Sequence, residues 1–481
     1  MTDIRFALRR LARSPAYCLV VAALLAIGIG ASTAVFSIVD AILLRELPVP
    51  HPEQLVRMVQ HLPKLGDRSA FPYVYYQALK QHATTLSAVF AESAMEMRFP
   101  VSEPRPVEEV RVGIVSPKFF KALGVHASYG RLFTPTEARN TSQTPPAVLS
   151  YRFWRRHFHA DLRAIGQTMV LNGKHFVIVG VMPRNFNGIS VDTSPAIRIP
   201  VSAIPVFWNR PRNRMSFEIA GRLRPGVSLK RAGEECLAIW KPVVTNYYEK
   251  VAKYPPKEVA ALLRRGLALD PLARGTSVLR NQFKESFQLL AGLMALVLLI
   301  VCTNVAGLLL ARVAAHQEEY AVRLALGASR FRLMRQLLLD NLLLTVAGAV
   351  GGLLIALALI PLSIRLIPPV RDLTGTLVPL SVHAGVNGRV FLFLLAASAI
   401  AMFLFSLTPA LTAARLRVDT VQRGARSSLG WRGRRFLILV QVALCMFLLV
   451  EAALLVRTFR KLRDVQPGFN PSHIVTFERI F

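Results

Sequence analysis

Apolar residues gather into five runs that each reach the roughly 20 residues a helix needs to cross a bilayer: Tyr17 to Val39, Phe287 to Ala311, Asn341 to Ile364, Val390 to Ala414 and Phe436 to Val456. Between the first and second runs lies a polar stretch, 45–286, in which the hydrophobic positions change period. Thr168, Val170 and Leu171 lead into Asn172-Gly173, a tight-turn dipeptide, and Phe176-Val177-Ile178-Val179 leads away from it, so Gln167 to Val181 predicts a hairpin. Phe217 to Leu223 predicts a strand closed by the Pro225-Gly226 turn, and Ser228 to Trp240 predicts a helix. The pattern gives a helical membrane bundle with a large α+β domain inserted between its first and second spans.

Arginine placement orients the bundle, because short loops rich in Lys and Arg stay on the cytoplasmic side. Arg5, Arg9, Arg10 and Arg13 precede the first span. Arg312, Arg323, Arg330, Arg332 and Arg335 join the second to the third, and Arg415, Arg417, Arg423, Arg426, Arg432, Arg434 and Arg435 join the fourth to the fifth. With alternating spans all three segments share one side, which predicts a cytoplasmic N-terminus and an extracytoplasmic domain. Arg457, Arg460, Lys461 and Arg463 after the fifth span run against this pattern. Ile4, Leu8 and Leu11 at helical spacing make 1–16 an amphipathic arm on the inner leaflet. Ala31-Ser32-Thr33-Ala34 resembles a signal-peptidase site, but the apolar run continues to Leu44 and favours an uncleaved anchor with a stalk.

Composition narrows the function classes. A hydrophobic content of 53% fits a mixed membrane and soluble architecture. The net charge of +31 is scattered, with no zinc-ligand spacing and no compact basic helix, which argues against a nucleic-acid partner. Only Cys236 of the cysteines falls in the polar middle, so the domain must fold without a disulfide framework. No phosphate-cradling loop, nucleophile elbow or zinc helix is present, and neither catalysis nor a cofactor or metal is expected. His157 and His159, flanking Trp154 and Phe158, read as packed or surface histidines. Glu451 reads as the only acidic residue well inside a span, close enough to its outer end to snorkel.

The segment Gln317 to Arg330 carries the most chemistry. Its first part predicts a short amphipathic helix, Gly327 suits the C-terminal turn, and Ser329 can cap the helix that leads into the third span. Glu319 and Arg323 stand four apart in the favourable order. A short helix laid across a loop between spans presents a docking surface.

This segment resembles the coupling loop of the MacB/FtsX-like family of ABC transporter permeases, through Glu319, Arg323, Ala325, Gly327, Ala328 and Arg330. It departs from the family pattern at His316, Glu318, Tyr320 and Asp340-Asn341. A second resemblance lies in Gly28 to Ser37, followed by Leu43-Leu44-Arg45 and Pro48. Others lie in Val115 to Val125, Gly130 to Phe133, Val148 to Trp154, Ile165-Gly166, Leu171 to Gly173 and Gly221 to Gly226. The resemblance implies a four-span module plus a fifth span. Its parts would be an arm (1–16), a first span with stalk (17–44), a MacB-like periplasmic core domain (45–286), an FtsX-like permease domain (287–414), a basic linker (415–435), the fifth span (436–456) and the start of a second domain (457–481). Phe469 to Val475 echoes His51 to Val56, as in the duplicated orphan permeases called ADOP, so the chain is expected to be a fragment or a truncated product.

The same resemblance implies mechanotransmission. A cytoplasmic ABC ATPase supplied in trans would dock on Glu319, Arg323, Leu326, Gly327, Ala328 and Arg330, and the spans would relay its motion to the domain for export or release of a substrate. Implied partners are that ATPase, a periplasmic adaptor, membrane lipids, and either a second copy or an intramolecular second module. The implied location is the inner membrane. The alternative reading is a motor-free, membrane-anchored binding or sensory protein. A secondary transporter would need ion-binding groups near the midplane, and the spans offer little of that kind.

Overall fold

The computed structural model describes residues 9, 11–62, 66–100, 107–139, 144–204, 215–316, 319, 322, 326, 329–366, 370–371, 377–378, 384–414 and 428–463. The chain forms two units, a helical one from 1–41, 283–367 and 384–480, and an α+β one built chiefly on 42–282.

Four helices in the described residues are long and apolar enough to cross a membrane: Pro15–Leu44, Leu289–Ala315, Phe331–Arg365 and Gly388–Ser406. A fifth long helix, Ser428–Arg463, carries a shorter apolar stretch, Ile438–Glu451. Two helix ends differ from the hydropathy reading. The first helix continues past Val39 through a π turn, Asp40–Leu44, and the third span begins before Asn341. Both therefore enclose an acidic residue, Asp40 and Asp340, and both side chains are buried. Glu451 is exposed and is not the only acid within these helices. The hydropathy reading stopped at these carboxylates because it weighs each residue as if it faced lipid, whereas here packed neighbours surround them.

The first span is the hub of the helical unit. Val21, Leu25 and Ile29 pack with Val301, Val305, Leu309, Leu344, Leu394 and Phe405. Its backbone approaches the third span closely: a Cβ on Gly30 would lie 2.8 Å from the Gly352 carbonyl oxygen, and one on Gly348 would lie 2.5 Å from Leu25 Cβ. Small residues permit this approach, and side-chain packing and hydrogen bonds hold helices together where lipid removes the hydrophobic drive. Asn341 Nδ2 donates to Ser406 Oγ at 3.0 Å, and the rings of Phe36 and Phe393 stack with centroids 4.1 Å apart.

The α+β unit folds from β1 (Leu55–Leu62), β2 (Gly66–Arg68), β3 (Ala70–Pro72), α1 (Tyr73–His82), β4 (Leu86–Pro100), β5 (Val107–Val115), α2 (Phe119–Leu123), β6 (Tyr129–Gly130), β7 (Pro146–Leu149), α3 (Tyr151–His157), β8 (Thr168–Leu171), β9 (Lys174–Val181), β10 (Ile197–Pro200), β11 (Ser216–Leu223), α4 (Leu229–Asn246), α5 (Pro256–Arg265) and β12 (Ala268–Pro271). The strands form one sheet in the order β12-β1-β11-β4-β5-β10-β7-β9-β6, with β2, β3 and β8 added at its side. Most pairs are antiparallel; β10 runs parallel to β5, and β7 parallel to β9.

The predicted local elements are present. β8 and β9 pair antiparallel around Asn172 and Gly173, whose φ values of 47° and 74° suit the left-handed turn that closes a hairpin. Ser228 Oγ accepts from the Arg231 amide and starts α4. An apolar cluster lies on each sheet face, one around Tyr75, Phe217, Phe176 and Trp240 and the other around Phe90, Phe119, Phe120 and Phe133. α1 and α4 meet where Tyr75 Oη donates to the Cys236 carbonyl at 3.0 Å. Burial beside them pushes the Cys236 thiol up to about 12, so it is inert packing.

Candidate functional site

The segment between the second and third spans stands on a closed base. Val313, near the end of the second span, packs with Leu333 and Leu337, one turn into the third. Arg312 reinforces the base: its guanidinium lies 4.3 Å from the Tyr17 ring centroid, and Nη2 donates to Ser14 Oγ at 3.1 Å. The start of the segment is thereby tied to the N-terminal end of the first span. His316 Nδ1 lies 2.9 Å from the Arg312 carbonyl oxygen.

Above this base, Glu319 and Val322 are helical, and the Leu326 amide donates to the Val322 carbonyl at 3.0 Å, one helical turn back. Ser329 Oγ then accepts from the Arg332 amide at 3.2 Å and opens the helix Arg330–Leu366, as its position predicts. The described side chains present an apolar surface: Val322 is 58% exposed, Leu326 82% and Phe331 73%. Val322 and Leu326 stand on this short stretch with Glu319 beside them, and Phe331 opens the apolar helix Phe331–Arg365. Of the sequence-predicted residues, the structure places Glu319 and Leu326 here and starts a helix at Arg330. Arg323, Gly327 and Ala328 lie outside the described residues. Arg312, Tyr17 and Ser14 were missed as a group because a cation that meets a ring 295 positions away leaves no local pattern; only Arg312's place at the end of an apolar run hinted at it.

A second polar cluster sits at the other end of the first span. Asp40 is fully buried; its Oδ2 accepts from Asn387 Nδ2 at 2.7 Å, and its Oδ1 lies 4.0 Å from an Arg389 guanidinium nitrogen. Asn387 Oδ1 meanwhile accepts from the Val390 amide at 2.8 Å and caps the fourth span. Ser37 Oγ donates to the Gly385 carbonyl at 3.2 Å. Both ends of the first span are thus anchored within the helical unit. On the side between the first, second and fifth long helices a cavity of about 460 Å³ opens, lined by Val20, Leu24, Asn304, Gly307, Ile438 and Gln441 among others.

In the α+β unit the central charged group is Arg198, fully buried on β10. Its Nε donates to Glu92 Oε1 at 3.1 Å and Nη2 to the Asn187 carbonyl at 2.7 Å, and the guanidinium carbon lies 5.9 and 5.4 Å from the Phe119 and Phe186 ring centroids. Gly188, at φ 90°, is required there, since a Cβ would lie 2.3 Å from Arg198 Nη2. Glu218 faces Glu92 across β11 and β4, and burial, then Glu92, push its carboxyl above the usual range. His61, Asp67 and Asp270 bring ligand-type atoms within 4.8 Å of one another, but Arg57 lies 3.8 and 3.3 Å from the two carboxylates and makes the group an ion-pair network. His157 packs against Phe153 and Phe99 at 4.3 and 5.4 Å between centroids, the packed role expected of it.

Residues 19–239 match the family of MacB-like periplasmic core domains, and residues 291–418 match the FtsX-like permease C-terminal family. Among characterised relatives, the macrolide export ATP-binding/permease protein MacB of Bradyrhizobium diazoefficiens is 25% identical over 54% of this chain and 36% of its own length. The pyoverdine export ATP-binding/permease protein PvdT of Pseudomonas savastanoi pv. phaseolicola is 24% identical over 47% and 31%. The chain therefore spans about a third of the length of these relatives. Among solved structures, the periplasmic region of MacB from Actinobacillus actinomycetemcomitans is similar at 12% identity, over 49% of this chain and 92% of that one, with a TM-score of 0.34. The extracellular domain of the transporter YknZ from Gram-positive bacteria is similar at 11% identity, over 39% and 93%, with a TM-score of 0.32.

Proposed function

We propose, from the premise that this chain belongs to the MacB/FtsX-like family of ABC transporter permeases, that it is the mechanotransmitting permease of an export or release system driven by a separate cytoplasmic ATPase. The observation that carries this reading is the exposed apolar patch of Val322, Leu326 and Phe331 on a segment whose base is fixed by Val313, Leu333 and Leu337. A patch on a loose tether would absorb a push. On a fixed base it passes displacement to the second and third spans, and through Arg312 to the first.

In this scheme the N-terminus is cytoplasmic, the chain lies in the inner membrane, and the α+β unit lies outside it, where it meets the substrate or a periplasmic adaptor. A second copy or a second module of the same polypeptide completes a pair of permease halves, the latter being the ADOP arrangement. Glu319, Arg323, Leu326, Gly327, Ala328 and Arg330 form the contact with the ATPase.

The test compares ATPase binding and stimulation between wild-type chain and three variants, Leu326→Asp, Arg323→Glu and Gly327→Val, in nanodiscs. Membrane insertion and domain folding should be unchanged. An interfacial charge left without its partner costs about 2 to 5 kcal/mol, so binding should weaken by at least about tenfold. Wild-type affinity in all three variants would overturn the docking role and favour the motor-free binding protein.

A further inference from the structure

The polypeptide enters the α+β unit through the π turn Asp40–Leu44 and leaves it through the helix Val278–Ala315. The last carbonyls of a helix and the first amides of the next both lack intrahelical partners. Here a side chain of the leaving helix satisfies a carbonyl of the entering one, and the first amides of the leaving helix are met by Asp192 and Ser277. Arg280, in the first turn of the leaving helix, donates from Nε and Nη2 to the Ile42 carbonyl at 3.1 and 2.5 Å. Its remaining donors reach the Gly275 and Arg274 carbonyls, each at 3.0 Å. A cation at a helix C-terminus also meets the negative end of the helix dipole.

Asp192 completes the arrangement from the loop before β10. It is fully buried; Oδ2 accepts from the Leu279 amide at 2.9 Å and from Ser277 Oγ at 2.7 Å, and Oδ1 accepts from Ser190 Oγ at 3.1 Å. Ser277 Oγ in turn accepts from the Arg280 amide at 2.9 Å. The Thr276 amide donates to the Ile189 carbonyl at 2.7 Å, and the Val191 amide to the Thr276 carbonyl at 3.0 Å. The Leu47 amide donates to the Ala273 carbonyl at 2.8 Å. Gly275, at φ 65°, leaves no room for a side chain, since a Cβ would lie 2.6 Å from the Ile189 carbonyl oxygen. At its other end the same loop gives the Asn187 carbonyl to Arg198, and Arg198 holds Glu92 on the central strand β4.

We infer that Arg280 and Asp192 are positioning residues that clamp the entry and exit of the α+β unit into one element and tie that element to the sheet through the 187–195 loop. Given the mechanotransmitting reading, on which this rests, a displacement arriving at Ile42 cannot be absorbed at the doorway. It passes through the Arg280 fork to 274–277, through Asp192 to the loop, and through Arg198 to β4. Arginine is required because one planar group must hold three carbonyls at once, which a lysine ammonium on a flexible stem cannot do in this geometry.

Hydrogen exchange on the full chain in nanodiscs tests the clamp without any partner. Arg280→Gln should raise exchange in both 42–49 and 272–280 by at least about tenfold, the effect of losing a charge-assisted hydrogen bond, while β4 and β5 keep their protection. Asp192→Asn should do the same in 272–280 and in 187–195. Arg280→Lys, the milder change, should keep 42–49 protected but release 274–276, which a purely structural need for positive charge would not do. Exchange confined to 274–280 in Arg280→Gln, with 42–49 unmoved, would overturn the clamp. Once the ATPase is in hand, Arg280→Gln should still bind it, yet lose any ATP-dependent change of exchange in 187–198. A wild-type chain that binds no ATPase would sink the functional reading and leave the exchange result to judge the clamp alone.

Discussion

The two units hold themselves together by opposite means. The α+β unit buries large side chains on both faces of its sheet, among them Tyr75, Phe90, Phe217 and Trp240, and carries a fully buried arginine beside Phe119 and Phe186. The helical unit puts glycines at its tightest contacts, Gly28, Gly30, Gly348, Gly351 and Gly352, where a Cβ would fall 2.5 to 3.1 Å from a neighbour. Water drives the first arrangement: apolar burial there is worth roughly 25 cal/mol per Å², enough to carry a desolvated ion pair that fixes a loop. Lipid removes that drive from the second, which leaves packing at short range and a few polar contacts such as Asn341 to Ser406. One principle therefore decides which substitutions each unit tolerates.

The largest effect should come from the charged centre of the α+β unit. Arg198→Met strips the partner from buried Glu92 and the donor from the Asn187 carbonyl, and breaking a buried pair from one side costs about 3 to 5 kcal/mol. Urea unfolding followed by tryptophan fluorescence should show a loss of that size. The double variant Arg198→Met/Glu92→Met should recover most of it, because two apolar groups leave no charge stranded. If the double variant were no better than the single, Arg198 would matter through its contacts with Phe119 and Phe186, and not through charge.

The helical unit should respond to volume where the α+β unit responds to charge. Gly348→Val places atoms against Leu25 Cβ and should cost about 1 to 3 kcal/mol, the usual penalty for overpacking. Gly307→Ala is the control: its Cβ would meet nothing within 4 Å, and it should leave stability unchanged or slightly raised. Resistance to SDS-induced unfolding reads both. A gain in both variants would mean that helix propensity, and not the close approach of the first and third spans, sets the stability of the bundle.

This contrast also explains what could be read from the chain beforehand. The Asn172-Gly173 hairpin, the Ser228 and Ser329 caps and the apolar spans are decided by residues a few positions apart, and the sequence shows them directly. Arg198 sat unremarked in a short strand, because Glu92 is 106 positions away and the burial of both follows from strand order. The parallel pairings of β10 with β5 and β7 with β9 were hidden for the same reason. Asp40 and Asp340 were read as the edges of apolar runs, although helix packing encloses them. In the segment between the second and third spans the Ser329 cap was legible, whereas the base of Val313, Leu333 and Leu337 and the Arg312 contact with Tyr17 required the fold.

The smallest expected effect belongs to the edge of the α+β unit and is a matter of pH. His61 Nδ1 lies 2.7 Å from Asp67 Oδ1 and Nε2 3.4 Å from Asp270 Oδ1. The Asp67 hydrogen bond raises the imidazole above its usual 6.5, partial burial opposes this, and Asp270 adds to the rise. A group whose pKa is higher folded than unfolded stabilises fully below the unfolded value, and that contribution is lost as pH rises through the folded one. Three other groups leave this window clear. His157 is lowered by burial, so its contribution is present above 6.5 and declines only as pH falls below it. Glu137, held by Arg131, has its carboxyl lowered to about 2. Burial alone would raise Glu235, yet its bonds from Thr84 and Thr85 also bring it down to about 2, so both titrate far into acid. The His61 side chain is 55% exposed, and solvent screening limits such a pair to about 0.2 to 1 kcal/mol. Urea midpoints should therefore fall slightly as pH rises above about 6.5 in the wild type, and stay flat over that rise in His61→Gln. SDS resistance of the helical unit should not follow this slope in either protein. A His61→Gln chain that kept the wild-type slope would assign the pH response to a group elsewhere and leave the Asp67, His61 and Asp270 cluster as a surface pairing without consequence for stability.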